Sequence, residues 1–144
     1  MATRFELTFD CSDPAVMSTF WTQALGYEIE GPPEGFDSWE DWLKLMEVPE
    51  DEWDDGASIV DPEGVGPRIF FQAVPERKTV KNRIHPDLDV SRGRSVPIEE
   101  RRRQVGEEVD RLLALGGRRV SDHEQGDHYH VVMQDPEGNE FCLR

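Results

Sequence analysis

The sequence has 144 residues, enough for one well-packed core, with 16 Lys and Arg against 31 Asp and Glu, a net charge of −15. Nucleic acids and anionic membrane surfaces carry charge of the same sign, so the composition argues against both as partners. The two cysteines, Cys11 and Cys142, provide no disulfide framework, and no apolar run reaches the roughly 18 residues of a membrane span. These features predict a soluble, single-domain protein of the reducing cytoplasm.

The chain begins with a predicted strand followed by a helix. Residues 5–11 alternate apolar and polar side chains, which is typical of a strand with one buried face. Asp13 is the predicted N-cap of the helix, Pro14 suits its first turn, and Gly26 ends it. The apolar stripe of this helix comprises Val16, Met17, Phe20, Trp21, Ala24 and Leu25. A short strand is predicted at residues 27–29.

Residues 31–56 form an acidic insertion that contains three of the four tryptophans. Ser38 followed by Asp41 resembles a capping box, so a short helix is predicted over residues 39–47. Two interpretations of the insertion stand side by side. It is either a surface helix that covers an exposed sheet edge, or a lid whose Trp39 and Trp42 give a ligand an aromatic wall.

A hairpin closes the first half of the chain. Its predicted strands are residues 57–60 and 68–74, with an Asp-Pro-Glu-Gly turn at residues 61–64. Phe70 and Gln72 share one face of the second strand, opposite the more apolar face. The polar linker that follows contains a basic cluster, which is either a solvated connector or an anion-binding segment.

The second half repeats this order of elements. Residues 84–90 alternate strictly, and Pro86, which has no N–H for the ladder, predicts an edge strand. A helix is predicted at residues 97–115, with Ile98, Val105, Val109, Leu112 and Leu113 towards the core. The remaining predicted elements are a strand from residue 119, a turn at 122–127, a strand at 129–134 and a last strand from residue 140.

The Asp-Pro-Glu-Gly sequence occurs twice, at Asp61 and 74 positions later at Asp135. Each copy ends a similar series of elements, which indicates a chain built from two modules of one design. The sequence therefore predicts an α+β fold of two paired βαβββ modules, residues 1–76 with the insertion at 31–56, and residues 82–144.

One face of each predicted sheet is covered by its helix, and the other face is unusually polar. The polar side chains on that second face are Glu6, Thr8, Asp10, Gln72, His85, Asp87, Asp89, Glu140 and Cys142. His128 and His130 join them if Tyr129, Val131 and Met133 face the helix. Such a face is either exposed to solvent or lines a cavity. Its carboxylates would repel one another, which favours a cation or a cationic ligand beside them.

Several local sequences occur in a familiar order along the chain. They are Asp13-Pro14, Phe20-Trp21, Ala24-Leu25-Gly26-Tyr27, Lys78-Thr79-Val80-Lys81-Asn82-Arg83, His85 and Asp135-Pro136-Glu137-Gly138-Asn139-Glu140-Phe141. Together with the paired βαβββ order, they resemble the vicinal oxygen chelate superfamily of glyoxalase I, extradiol dioxygenases, bleomycin-resistance proteins and fosfomycin-resistance enzymes. Within it the sequence is most similar to glyoxalase-like domain proteins. The resemblance implies two modules that form a half-open cup, and association into a homodimer.

The resemblance also implies a metal site. Its ligand positions in the first, fourth, fifth and eighth strands fall on Glu6, Gln72 (or Phe70), His85 and Cys142. The expected cofactor is a divalent ion, Zn, Ni, Fe or Mn. Cys142 departs from the family, which places Glu there, and a thiolate favours Zn²⁺ over harder ions. The competing interpretation of Cys142 is a small packing residue.

Two functions follow from these expectations. The first is a metal-dependent lyase or isomerase acting on a small vicinal-oxygen substrate, with Glu6 and Asp87 as the catalytic carboxylates. The second is a metal-free protein that sequesters a small amine-bearing or aromatic molecule, as bleomycin-resistance relatives do. The predicted substrate-binding residues are Asp10, Trp39, Trp42, Phe70, Asp89 and His130.

Overall fold

Two four-stranded mixed sheets, each with one long helix, make up the computed structural model, which describes residues 1–144. The chain divides into a first unit, Met1–Arg77, and a second unit, Lys78–Arg144. No helix is long and apolar enough to cross a membrane. Neither cysteine belongs to a disulfide, and both are buried.

The first unit has one mixed sheet with a parallel pair at one side. Its elements are β1 (Leu7–Cys11), α1 (Pro14–Leu25), β2 (Glu28–Ile29), α2 (Trp39–Leu45), a 3-10 turn (Glu50–Glu52), β3 (Gly56–Val60) and β4 (Ile69–Ala73). The strand order is β1-β4-β3-β2, in which β1 and β4 are parallel and the other pairs antiparallel. The insertion thus lies between the second and third strands.

The second unit has the same connectivity. Its elements are β5 (Asp87–Leu88), α3 (Ile98–Ala114), β6 (Arg118–Gln125), β7 (His128–Gln134) and β8 (Glu140–Leu143). The strand order is β5-β8-β7-β6, again with one parallel pair, β5 and β8. In both units the first strand pairs with the last strand of the same unit. The predicted duplication of a βαβββ module is therefore confirmed.

The core of each unit lies between its helix and one face of its sheet. In the first unit, Phe9, Trp21 and Phe71 meet edge to face, with ring centroids 5.4 Å apart in both contacts. In the second unit the fully buried apolar side chains are Val105, Val109, Leu112, Val131, Met133, Phe141 and Leu143. Alternation along each strand sends the remaining side chains to the opposite face. Candidate functional groups therefore lie on the face away from the helix.

The signals at the helix ends act as predicted. Asp13 accepts a hydrogen bond from the Val16 amide at 3.0 Å, and Gly26 ends α1 in the left-handed region with φ 70°. Ser38 caps α2 through the amide of Asp41, although α2 ends at Leu45, two residues earlier than predicted.

The predicted helix stripes are partly wrong. Val16 and Leu113 are exposed, and Ser18 and Thr22 are buried in α1 instead. Each of these two hydroxyls donates to a helix carbonyl three residues earlier, so its burial leaves no donor unsatisfied. In α3 the unpredicted buried residue is Arg101.

Two strands differ in length from the prediction. The alternation over residues 84–90 yields only the two-residue strand β5, with Ile84 almost fully exposed. Pro86 limits it, since only its carbonyl joins the ladder, by accepting from the Cys142 amide at 2.9 Å. The turn predicted at residues 122–127 is also wrong, because β6 continues to Gln125 and only residues 126–127 turn. Gly126, at φ 62°, permits this tight hairpin.

Candidate functional site

Three potential metal ligands converge on the second sheet. Asp87 in β5 lies directly opposite Cys142 in β8, so alternation places both side chains on the face away from α3. His85 lies two residues before Asp87, and its Nδ1 is 3.1 Å from Asp87 Oδ1. The three donor atoms all lie within 4.8 Å of one another. A nitrogen, a carboxylate oxygen and a sulfur thus share one small volume.

The environment of Cys142 keeps its sulfur protonated. Burial raises the pKa of this thiol, and the charge of Asp87 and a hydrogen bond to that carboxylate raise it further. Because a metal binds the thiolate, an ion entering here must displace a proton. The nearby imidazole and carboxylate are suitable additional ligands for such an ion.

All four histidines of the chain lie in the second unit. His130 in β7 is directly opposite His123 in β6, and the two rings stack with centroids 4.9 Å apart. The pKa of His130 is lowered, first by burial and then by repulsion from His123, so its ring is neutral at neutral pH. A neutral imidazole beside the cluster is able to accept a proton.

The sequence analysis missed His123, because it assigned residues 122–127 to a turn. The signal that would have found it is Gly126-Asp127, a two-residue hairpin sequence. A turn at these two residues fixes the register of the hairpin and places His123 against His130. The side chains of β6 are almost all exposed and polar, so its sequence lacks the alternation of apolar and polar residues that predicts a strand.

A cavity of about 490 Å³ includes the cluster. Among its lining residues are His85, Asp87, Asp89, His128, His130 and Cys142. Asp89 and His130, both predicted to bind substrate, therefore line the same cavity as two of the predicted metal ligands. Tyr129 and three arginines complete much of the wall.

The other predicted ligands belong to the first unit. Glu6 precedes β1, is 63% exposed and pairs with Arg68 at 3.3 Å. Asp10 and Gln72 are direct neighbours across the parallel pair of β1 and β4, and both side chains are exposed. Arg68 also binds Glu30, and its hydrogen bonds lower the pKa of that carboxyl. The first unit thus already supplies Glu6 with a positive partner.

The predicted aromatic wall residues make contacts within the first unit. Trp39 Nε1 donates to the Glu30 carbonyl at 2.8 Å, and its ring meets Trp42 edge to face at 5.7 Å. The Trp39 contact fastens α2 beside β2, the edge strand of its sheet, which agrees with a covering helix. Phe70 lies 5.8 Å below the Arg68 guanidinium. Ligand binding by these three rings stays a prediction.

Glu140 holds the segment that begins the second unit. Its carboxylate accepts from Lys78 Nζ at 3.1–3.2 Å and from the Asn82 amide at 2.9 Å. Lys78 Nζ also donates to the Val80 carbonyl. These bonds fasten residues 78–82 to β8, two residues from Cys142. They give Lys78 and Asn82 of the Lys-Thr-Val-Lys-Asn-Arg sequence a structural role, as a latch on β8.

Comparison with known proteins decides the family. The profile of the glyoxalase-like domain family matches residues 6–144. This chain belongs to that family. The glyoxalase-like assignment confirms the resemblance to the vicinal oxygen chelate superfamily and accounts for the paired modules. Among curated proteins, none matches the sequence significantly.

Solved structures share the glyoxalase-like fold at low sequence identity. A glyoxalase/bleomycin resistance protein/dioxygenase family enzyme from Burkholderia phytofirmans is 18% identical, covering 96% of this chain and 94% of its own, with a TM-score of 0.60. A possible glyoxalase from Bacillus cereus is 14% identical, covering 99% and 98%, with a TM-score of 0.60.

A third solved structure contains a metal. It is a mutant of the fosfomycin resistance protein FosX from Listeria monocytogenes, complexed with Mn(II) and 1S,2S-dihydroxypropylphosphonic acid. It is 12% identical, covering 100% of this chain and 90% of its own, with a TM-score of 0.62. At identities this low, the structural similarity shows that these proteins share the fold of the glyoxalase-like chain, and nothing beyond the fold.

Proposed function

We propose that this protein is a metal-dependent glyoxalase-like enzyme acting on a small substrate with neighbouring oxygen atoms. The observation that carries the proposal is the convergence of His85, Asp87 and Cys142 donor atoms within 4.8 Å. These three residues would hold the ion. The FosX structure, which contains Mn(II), supports the proposal by showing that the fold accommodates a divalent ion.

The donor set fits a borderline-soft ion such as Zn²⁺ better than Mg²⁺ or Mn²⁺, since it includes a thiol. Donor atoms of a tetrahedral zinc site lie about 3.3–3.8 Å apart, given bonds of about 2.0–2.3 Å. The donor atoms of the cluster lie within 4.8 Å of one another, so their separations exceed those of a zinc site by up to about 1 Å. His85 and Asp87 are both exposed side chains with room to adjust.

A bound ion of this kind would polarise a substrate oxygen as a Lewis acid. Asp87 accepts a hydrogen bond from His85 Nδ1–H, which leaves Nε2 with its lone pair and orients the ring. His130, whose lowered pKa leaves its ring unprotonated at neutral pH, is available to accept a proton at a ring nitrogen. We therefore propose His130 for the proton transfer that the sequence analysis assigned to Glu6 or Asp87.

The decisive experiment is metal analysis of purified protein after reconstitution with Zn²⁺, Ni²⁺, Mn²⁺ or Fe²⁺. The expected result is one bound equivalent, lost in His85→Gln and Cys142→Ser and retained in Cys11→Ser. Cys11 is a matched control, because it too is a buried cysteine outside any disulfide, and its sulfur donates to the Gln72 carbonyl at 3.6 Å. Glu6→Gln and Gln72→Ala in the same panel test the ligands implied by the family.

Less than about a tenth of an equivalent after reconstitution would remove the enzyme proposal. A thermal-shift screen of cationic and aromatic compounds then tests the alternative, a metal-free binding protein. Stabilisation by such compounds without metal would favour sequestration over catalysis.

A further inference from the structure

Arg101 occupies a core position of α3. The buried side of this helix follows Arg101, Val105, Val109 and Leu112, at the spacing of an apolar stripe. Arg101 is 8% exposed, whereas its neighbour Arg103 is an exposed surface residue. An arginine at a stripe position is unusual, because burying a guanidinium without a partner is costly.

Arg101 has no carboxylate partner. Its Nε donates to the Val96 carbonyl at 3.0 Å, and it forms no ion pair. The two acidic residues beside it bind elsewhere: Glu99 pairs with Arg102, and Glu100 pairs with Arg103. The Val96 bond uses one of five guanidinium N–H groups. The side chain of Arg101 is thus left without an ion-pair partner in the protein.

Arg101 is one of the residues that line the cavity described above. Arg94 and Arg144 line the same cavity, and Arg94 Nη2 lies 2.9 Å from a ring nitrogen of His128. Asp87 and Asp89 also line this cavity, so its wall has three arginines against two carboxylates. The two units differ strongly in net charge. The first unit has four Lys and Arg against 18 Asp and Glu, a net −14, and the second unit has 12 against 13, a net −1. Nearly all of the net negative charge of the chain therefore lies in the first unit, outside the unit that contains the cavity.

We propose that this cavity binds a small oxyanion, a carboxylate or phosphoryl group, on the guanidinium of Arg101, with Arg94 as a second cation. The planar fork of arginine matches both groups, and a partly desolvated site strengthens the attraction. The inference deepens the proposed function by naming the charge of its substrate. It replaces the cationic ligand favoured by the sequence, because it rests on the arginines that line the cavity.

The test is isothermal titration calorimetry of EDTA-treated protein with inorganic phosphate in one arm and pyruvate in the other. Binding is expected in at least one arm, and the stronger arm identifies the head group. Arg101→Gln should weaken binding roughly tenfold to a hundredfold, and Arg101→Lys should weaken it less, since it keeps the charge. Arg118→Gln is the matched control, an exposed arginine without an ion pair in the same unit.

Circular dichroism of each variant monitors the structural role that Arg101 has through the Val96 carbonyl. If Arg101→Gln fails to fold, Arg94→Gln takes its place, with a smaller expected loss of affinity. Absence of binding in both arms overturns the inference, as does equal weakening in Arg118→Gln. Because the protein is metal-free in this experiment, failure here leaves the metal proposal standing, and failure of metal binding leaves the anion result intact.

Discussion

Glu140→Gln should destabilise the second unit by releasing the latch over β8. The Glu140 side chain is 11% exposed and receives bonds from Lys78 Nζ and the Asn82 amide. Glutamine keeps an acceptor oxygen for the Asn82 amide and loses the ion pair with Lys78. A hydrogen bond to a charged group contributes about 1.5–3 kcal/mol, so we expect a loss of that size in the free energy of unfolding.

The same substitution at an exposed ion pair is the control. Glu99 is 79% exposed and pairs with Arg102. Surface pairs of this kind contribute about 0–1 kcal/mol, so Glu99→Gln should change stability little. A comparable loss in both variants would mean that burial of the latch contributes nothing, and would refute the reasoning.

The assay must observe the second unit. All four tryptophans lie in the first unit, so their fluorescence would not report on the latch. Urea unfolding followed by far-UV circular dichroism gives the overall loss. Hydrogen–deuterium exchange should show faster exchange in residues 78–84 of Glu140→Gln and unchanged exchange in α1.

The pH dependence of the latch has a definite sign. Burial opposes the charge of Glu140, but hydrogen bonds from the Asn82 amide and Lys78 outweigh it and lower the pKa below 4.5. A carboxyl with a lowered folded-state pKa stabilises the fold above its unfolded pKa and loses that contribution as pH falls through the folded value. The difference between wild type and Glu140→Gln should therefore shrink below about pH 4.5. A constant difference down to pH 3 would contradict the assignment.

Three further predictions concern other parts of the chain. Zn²⁺ affinity, measured by chelator competition, should rise about tenfold per pH unit through neutral pH, because the ion displaces the Cys142 proton; a flat profile would exclude the thiolate as a ligand. Replacing His123 by Asn should raise the pKa of His130 towards 6.5 in an NMR titration, and an unchanged midpoint would show that repulsion from His123 contributes nothing. Gly66→Ala would place a Cβ 2.0 Å from Tyr27 Oη and should cost about 1–3 kcal/mol in urea unfolding. A Tyr27→Phe background should remove part of that cost, because it deletes the hydroxyl but keeps the ring carbon 3.1 Å from the new Cβ; an unchanged cost would refute the clash with Tyr27 Oη.

The sequence determined the order of elements and most of their ends. Asp13, Gly26 and Ser38 set helix ends through hydrogen bonds and φ values within a few residues. These helix ends can therefore be predicted from the sequence without the tertiary structure. Periodicity likewise assigned Phe71 and Gln72 to opposite faces of β4. The repeated Asp-Pro-Glu-Gly turn identified the duplication, which the equal strand orders confirm.

Tertiary structure decided which polar residues meet. The parallel pairing of β5 with β8 sets Asp87 beside Cys142, a contact between residues 55 positions apart that no local pattern encodes. The Gly126 hairpin likewise brings His123 against His130. The burial of Arg101 could not be predicted from the sequence, because a charged residue ordinarily lies on the exposed side of a helix. Only the packed structure shows that Arg101 lies on the buried side of α3.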